Sequence, residues 1–599
     1  MKNLVLLIIV TLFFLSCTKE EEYSVDEINT LKDTNKSTIL SKTVKKFGPQ
    51  KYKNGKIGGV WVATLTNDPK TFNTLTARDS DSRTVIDYLY ESLADYDPYK
   101  KEFIPNLASF EVKADEENDK LDVIYKLRDD LYWTTYDGKT KVKVTADDVV
   151  FWYNEIAGEK KLQLPDYSGQ FIKMKDGVEK HIDIEKIDDL SFVFHYPRII
   201  ANPILTTNMD FGPKFIFEKA KKEKGVQSLL ELFSVDTDVK TIPSLSSYYI
   251  YEYTPGVRVV LKRNPNHWKK DAGNTTLPYV EQIVFKIVPD MNTEFLLFKN
   301  GEKDFHVVRP EDLDNLLSKE KSDYTVYNGG SSLDAAFFCF NQNPSNIDKK
   351  YYNWFSNTKF RQAMSCMINR DRIINQVYRG LAEPAIHFYA KANPFFDENI
   401  KLQYTYNPKK AIKLLEEIGI KKNKDGLMVD KDGNIVEFDI VTGAENNIRI
   451  DMANIFADEL KNIGITLKVR PIDFQKLVDS LIKTYDWHCV IVGLGANYWA
   501  TGGINVWLSS GNFHLWRPLQ EKPATDWEAR IDHLYNEGAF TLDKAKAKKI
   551  WDEYQQIILE QVPLMYIVHP YTFRAVRNKW ENVYFDNLRD LDLNYIFLK

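Results

Sequence analysis

The feature that most restricts this chain is the interleaving of two hydrophobic periods from Val60 to the C-terminus. Short alternating stretches predict strands at Leu121 to Leu127, Phe192 to His195, Arg258 to Lys262, Ile283 to Val288 and Ile435 to Val441. Stripes at helical spacing run between them. Thr145-Ala146-Asp147-Asp148 before Val149-Val150-Phe151-Trp152 predicts a helix start, with Thr145 as N-cap and acidic side chains in the first turn. Asn407-Pro408 followed by Ala411, Leu414, Leu415 and Ile418 predicts another helix, stopped by Gly419. Arg449 to Asn462 predicts one more, closed by Gly464. No short-period repeat accompanies these patterns, which disfavours a solenoid or propeller and leaves an α/β or mixed α+β fold.

With 599 residues, 43% of them hydrophobic, the chain can bury a core large enough for several domains. Its net charge is −5 and its Lys and Arg are scattered among Asp and Glu, so it has no basic footprint for a nucleic-acid backbone. Lys2 followed by the apolar run Leu4 to Leu15 reads as a removable targeting segment, too short to span a bilayer as a stable helix. Residues 18 to 56 are polar and charged with few large apolar residues, which predicts a flexible tether. Beyond Cys17 only Cys339, Cys366 and Cys489 remain. They are widely spaced in apolar surroundings, and the expectation is buried free thiols, with no metal or redox pair.

Phe14-Leu15-Ser16-Cys17 resembles the lipobox at which bacterial lipoproteins are cleaved and acylated, although Phe14 and Leu15 depart from its strictest form. That implies removal of residues 1–16 and lipidation at Cys17, where two acyl chains would anchor the protein firmly. The alternative is an ordinary signal peptide with an incidental cysteine. Further on, Trp133, Asp137-Gly138 and Thr145 to Phe151 occur in the order found in the family 5 extracellular solute-binding proteins. Tyr253, Pro255-Gly256, Arg263-Asn264-Pro265 and Trp268 continue the series, as do Gly301 to Asp304, Phe360-Arg361-Gln362-Ala363 and Asn369-Arg370-Asp371. Tyr406 to Gly419 and Leu460 to Ile465 complete it. The chain therefore resembles that family over about residues 57 to 599.

The resemblance implies a bilobed, periplasmic-binding-protein-like class II fold with three domains and a discontinuous first domain. Domain I would comprise 57–96, 189–308 and 562–599, domain II 97–188, and domain III 309–561, with 17–56 as lipidated N-terminus and tether. It also implies a monomeric, lipid-anchored receptor in the cell envelope, on a periplasmic or extracellular face. Such a receptor captures an oligopeptide or an oligosaccharide for the permease of an ABC importer, or acts as a sensor or adhesin.

In peptide-binding members an aspartate after a strand and turn in domain III pairs with the peptide amine. The matching stretch, Val490 to Trp499, puts Asn497 there. A buried ammonium that lacks its anion costs about 3 to 5 kcal/mol. Either a carboxylate elsewhere replaces it, with Asp79, Asp81 and Asp95 as candidates, or the ligand is not a free-amine peptide. Tyr498 and Trp499 adjoin that turn, and Trp507, His514 and Trp516 follow; aromatic faces with polar edges suit an extended ligand. Asp95 and Tyr96 fall where the resemblance implies backbone contacts to ligand. Catalysis and cofactors are not expected. Gly48 to Gly55-Lys56 has the wrong spacing for a phosphate loop, HExxH and GxSxG are missing, and the nine histidines lack metal-ligand spacing. Asp129-Asp130 and Asp188-Asp189 read as solvated turns.

Overall fold

The computed structural model of the protein describes residues 36–47, 51–135, 141–164, 167, 169–318, 323–444, 446–495, 499–511, 513–518 and 520–599, with only the backbone of Gln475. Cys17, Asn497 and Tyr498 lie outside the described residues.

The first half of the chain supplies β1 (Val60–Leu65), the hairpin β2 (Ala94–Asp97) and β3 (Glu102–Pro105), then β4 (Ala108–Asp115) and β5 (Lys120–Leu127). β6 (Asp183–Lys186), β7 (Ser191–Tyr196), β8 (Tyr248–Thr254), β9 (Arg258–Arg263) and β10 (Gln282–Ile287) follow. They form two four-stranded sheets, β1-β10-β9-β8 and β6-β7-β5-β4. β5 buries Leu121, Val123, Tyr125 and Leu127 and turns the residues between them outward, as period-two patterning requires. One apolar core joins both sheets and takes in Trp580, Phe585 and Ile596 from the C-terminus.

The chain then crosses to a second lobe through β11 (Phe305–Val307) and β12 (Tyr324–Ser331). That lobe is built on β13 (Ala335–Phe340), β14 (Glu437–Gly443), β15 (Thr466–Ile472), β16 (Cys489–Leu494) and β17 (Leu564–Tyr566), in the order β15-β14-β16-β13-β17. β13 and β16 read Ala-Ala-Phe-Phe-Cys-Phe and Cys-Val-Ile-Val-Gly-Leu and are central. Separate apolar clusters cover their two faces, which explains a continuous apolar run in place of an alternating one. β18 (Val568–Arg577) returns to the first lobe, paired with β12 from Tyr324↔Arg577 to Ser331↔Tyr571. The fold is therefore bilobed, with β12 and β18 as crossing strands. Cys339, Cys366 and Cys489 are buried and free.

The helices follow their local signals. α1 (Ala146–Phe151) begins with a capping box in which the Thr145 backbone N–H donates to Asp148 Oδ2 at 3.0 Å. α2 (Met291–Lys299) and α3 (Thr358–Ser365) precede α4 (Pro408–Glu417) and α5 (Asn447–Asn462); α6 (Asp526–Ala539) and α7 (Lys544–Gln561) complete the second lobe. Gly419 and Gly464 sit just past the ends of α4 and α5 at φ +85° and +92°. A Cβ on Gly419 would come no closer than 3.9 Å to Lys431, whereas one on Gly464 would lie 2.1 Å from the Gly426 carbonyl oxygen. Gly419→Ala is therefore expected to cost about 1 kcal/mol of left-handed strain. Gly464→Ala is expected to cost roughly 2 to 3 kcal/mol because backbone must also move. Urea unfolding of the two variants checks the order.

The polar segment before β1 is not free over its described part. Ile39, in a helical turn at 36–41, is 6% exposed within a cluster at the crossing strands. Val44 pairs with Tyr327 of β12, and Tyr52 stacks on Tyr595 at 4.0 Å. The tether expected over 17–56 is thus docked at 36–47 and 51–56, because one buried isoleucine and a few backbone bonds suffice to hold an otherwise polar strand.

Candidate functional site

The β2–β3 hairpin places Tyr96 and Phe103 opposite each other in register, so both rings leave the same face. Trp499, from the loop after β16 in the other lobe, lies against them. Its ring is parallel to that of Phe103 (2° between planes, centroids 5.3 Å apart) and tilted on Tyr96 at 4.4 Å. A second contact lies at the rim. The Arg198 guanidinium sits 3.7 Å from the Phe540 ring centroid, and the Ala201 N–H donates to the Ala539 carbonyl at 2.8 Å. The two lobes are therefore shut against each other.

Beside the Trp499 loop is a cavity of about 270 Å³, lined by Leu333, Phe388, Leu494, Val506, Trp507 and, at its polar end, Tyr566 and His569. Burial pushes the His569 imidazole below its usual value. Its Nδ1–H donates to the Asp334 carbonyl at 3.2 Å, which leaves Nε2 as an acceptor. The cavity is mainly apolar, with His387 and His569 among its lining.

Behind the hairpin the chemistry changes. A polar recess of about 350 Å³ is lined by Glu91, Asp95, Lys269, Arg589 and Asp592. Arg589 ion-pairs with Asp95 at 2.9 Å and also donates to the Tyr96 carbonyl at 3.2 Å. Burial lowers the affinity of Lys269 for its proton, but Asp592 and Glu91 outweigh that and hold its pKa above the ordinary lysine value.

The expected site residues separate accordingly. Tyr96 and Trp499 meet. Asp95 lies on the opposite side of the same strand, engaged by Arg589. Asp79 caps the helix Ser80–Ile86, accepting from Ser82 N at 2.8 Å, and buried Asp81 accepts from the Thr66 and Asn67 backbone. Both carboxylates are committed to the chain, so neither stands in for the absent aspartate. Trp516 is 1% exposed and donates its indole N–H to Glu528 at 3.0 Å, so core packing accounts for it. His514 shares that acceptor at 3.2 Å. Trp507 is also buried, at 5% exposure, and lines the cavity. Phe103, Tyr566, His569 and Arg589 were not singled out by the sequence. No local pattern marks them, since each gains its position from a segment hundreds of residues away.

Two lobes joined by crossing strands and shut over an aromatic contact define a cleft-closing binding protein. The chain belongs to the bacterial extracellular solute-binding proteins, family 5 Middle, whose family model matches residues 102–514. It is 28% identical over 538 residues to a probable ABC transporter-binding protein of Deinococcus radiodurans, covering 84% of this chain and 86% of that one. It is 24% identical over 559 residues to the oligopeptide-binding protein AppA of Bacillus subtilis, covering 89% and 90%. The structure of that AppA with a nonapeptide superposes with a TM-score of 0.71 at 23% identity, covering 91% of this chain and all of the other. The binding protein MelB of Agrobacterium fabrum C58, in complex with stachyose, superposes with a TM-score of 0.72 at 17% identity, covering 92% and 86%. At these identities the superpositions establish the shared fold. Among the described residues no helix is long and apolar enough to cross a membrane.

Proposed function

We propose that this chain is the extracytoplasmic receptor of an ABC importer and that it captures an oligopeptide between its lobes for delivery to a permease, without altering it. The observation that carries this reading is Trp499 stacked across the cleft on Phe103, next to a mainly apolar cavity of about 270 Å³. Ring faces and a neutral histidine bind an extended ligand with little dependence on its charge. That suits a site in which Asn497 replaces the amine-binding aspartate. The named relative AppA supports peptide as the ligand class. We further assign Cys17 as the lipidated residue of a monomer tethered to the cell envelope. For the domains we propose the division 57–96, 189–308 and 562–599, 97–188, and 309–561, with two changes: β7 joins the second domain because it lies between β6 and β5 in one sheet, and β17 joins the third because it pairs with β13.

Oligosaccharide is the second reading, favoured by the parallel aromatic rings and by the fold shared with MelB. Native mass spectrometry of protein purified without its lipid distinguishes the two. Retained peptides support the first reading, and a ladder spaced by hexose overturns it.

Trp499→Ala removes two aromatic contacts worth about 0.5 to 1.5 kcal/mol each, both formed only when the lobes shut. The expected outcome is about tenfold weaker binding of the retained ligand by calorimetry, with the melting temperature of the unliganded protein little changed. Unfolding of the variant would instead make Trp499 a packing residue.

A further inference from the structure

Residues 36–47 and 51–56 do something that a passive leader need not do: they make contacts on both sides of the hinge. On the second-lobe side, Lys36 Nζ lies 5.0 Å from the ring centroid of Tyr571, whose hydroxyl donates to Glu383 at 3.0 Å. Ile39 is buried in a cluster that contains Leu381 as well as Phe298 of the first lobe. The chain then meets β12 at one isolated parallel bridge, Val44 opposite Tyr327. Val44 N–H donates to the Val326 carbonyl and Asn328 N–H donates to the Val44 carbonyl, each at 2.9 Å. On the first-lobe side Lys46 bridges Phe585, the Lys53 N–H donates to Asn582 Oδ1 at 3.0 Å, and Tyr52 stacks on Tyr595.

The place where it attaches is the irregular point of the crossing strand. β12 carries a bulge between Asn328 and Gly330, with Gly330 at φ +86° and its N–H bonded to Asn328 Oδ1 at 2.8 Å. A bulge bends and twists a strand locally, and here it is the irregular step in the β12–β18 pairing. Val44 grips β12 immediately before it. In the shut arrangement described here the segment contacts residues on both sides of the bulge at once, Val326 and Asn328 before it and Tyr571, opposite Ser331, after it.

We propose that residues 36–47 and 51–56 act as a hinge strap, docked against the crossing strands, whose docking favours the shut arrangement and whose release lets the lobes part. Opening turns the crossing strands about the bulge and must separate Val44 from β12 or Ile39 from its cluster. The bias follows because a contact present in one of two states shifts the population toward that state. The inference rests on the fold and not on which ligand is bound.

The test uses the full chain without added ligand, comparing wild type with Ile39→Asp and, separately, Val44→Pro. The second variant deletes a single N–H donor and leaves the core cluster intact. Amide hydrogen exchange at Asn328 reports docking of the strap, and small-angle scattering reports the distance between the lobes. The expected result is about a tenfold gain in Asn328 exchange together with a larger radius of gyration, while amides of the central strands β13 and β16 stay protected. Faster exchange at Asn328 with unchanged scattering overturns the proposal, because the strap would then dock without biasing the lobes. Unchanged exchange in Val44→Pro also overturns it, because β12 would then not depend on the strap.

Discussion

Replacing Arg361 with methionine is expected to lower the unfolding free energy by roughly 3 to 5 kcal/mol, although among the described residues no carboxylate forms an ion pair with its guanidinium. Arg361 is fully buried. Its Nε donates to the Gln561 carbonyl at 3.0 Å, Nη1 to the Phe355 carbonyl at 2.9 Å and to Gln342 Oε1 at 3.1 Å, and Nη2 to Thr358 Oγ1 at 3.2 Å. Gln561 is the last residue of α7, and the neighbouring Gln362 donates to the Glu560 carbonyl at 2.9 Å. The pair therefore closes the C-terminus of α7, where unsatisfied carbonyls and the negative end of the helix dipole favour a cation. β17 and then β18 follow directly from that terminus, so the clamp sets where the return crossing begins. Burial lowers the Arg361 pKa to about 10, which leaves it charged at neutral pH. Each buried carbonyl left without a donor costs about 1 to 3 kcal/mol, and two lose theirs. Arg361→Lys keeps the charge but not the planar fork and should recover part of the loss. A urea midpoint for Arg361→Met equal to that of wild type would mean that water replaces the guanidinium.

The same residues show which parts of the protein were legible in its sequence. Several of the matched motifs prove to be clamps, while Asp137-Gly138 lies outside the described residues. Arg263 donates to the Thr276 and Pro278 carbonyls, buried Asn264 donates to the Ser246 carbonyl, and Asp304 accepts from Val62 N at 2.8 Å and from Trp580 at 2.9 Å. Such groups bond mainly to backbone, where few side chains will substitute, so they identify the scaffold and are silent about the ligand. Strands with clear alternation fell within a residue or two of expectation. Ile435, expected to open β14, is 42% exposed and precedes Glu437, where regular pairing begins.

The site was less legible because its parts come together only in three dimensions. Trp499 was marked by the turn it adjoins, yet its partners Tyr96 and Phe103 stand on a hairpin in the other lobe. Trp507 and Trp516 carry no sequence mark that separates a buried indole from an exposed one. For Trp516 the deciding fact is a carboxylate twelve residues on, Glu528, that accepts its N–H. The strap escaped notice because composition averages over a segment, whereas docking depends on Ile39, Val44 and Tyr52 individually.

Acid should destabilise this protein in part through two glutamates, buried Glu528 in one lobe and half-buried Glu91 in the other, whose combined expected loss is about 6 kcal/mol. Glu528 accepts from His514, Trp516, Gln520 and Thr525 at 2.9 to 3.2 Å. Glu91 accepts from His267 at 2.7 Å and from Ser246 and Trp268 at 3.0 Å. Burial pushes both carboxyls up, but hydrogen bonds and the neighbouring histidines outweigh it and hold each pKa at about 2. An unfolded glutamate titrates near 4.5. The folded values are depressed, so the stabilisation is fully present above pH 4.5 and is lost as the pH falls through about 2. Each group contributes about 3 kcal/mol, of which about 2 should be gone by pH 3. The two lie in different lobes and should add. Glu528→Gln cannot ionise, so urea unfolding of that variant should lose about 2 kcal/mol less than wild type between pH 5 and pH 3. At neutral pH it should be less stable by about 3 kcal/mol, since an amide oxygen accepts these donors more weakly and its NH2 group finds donors where it needs acceptors. A loss in the variant equal to that of wild type would place the acid sensitivity elsewhere in the chain.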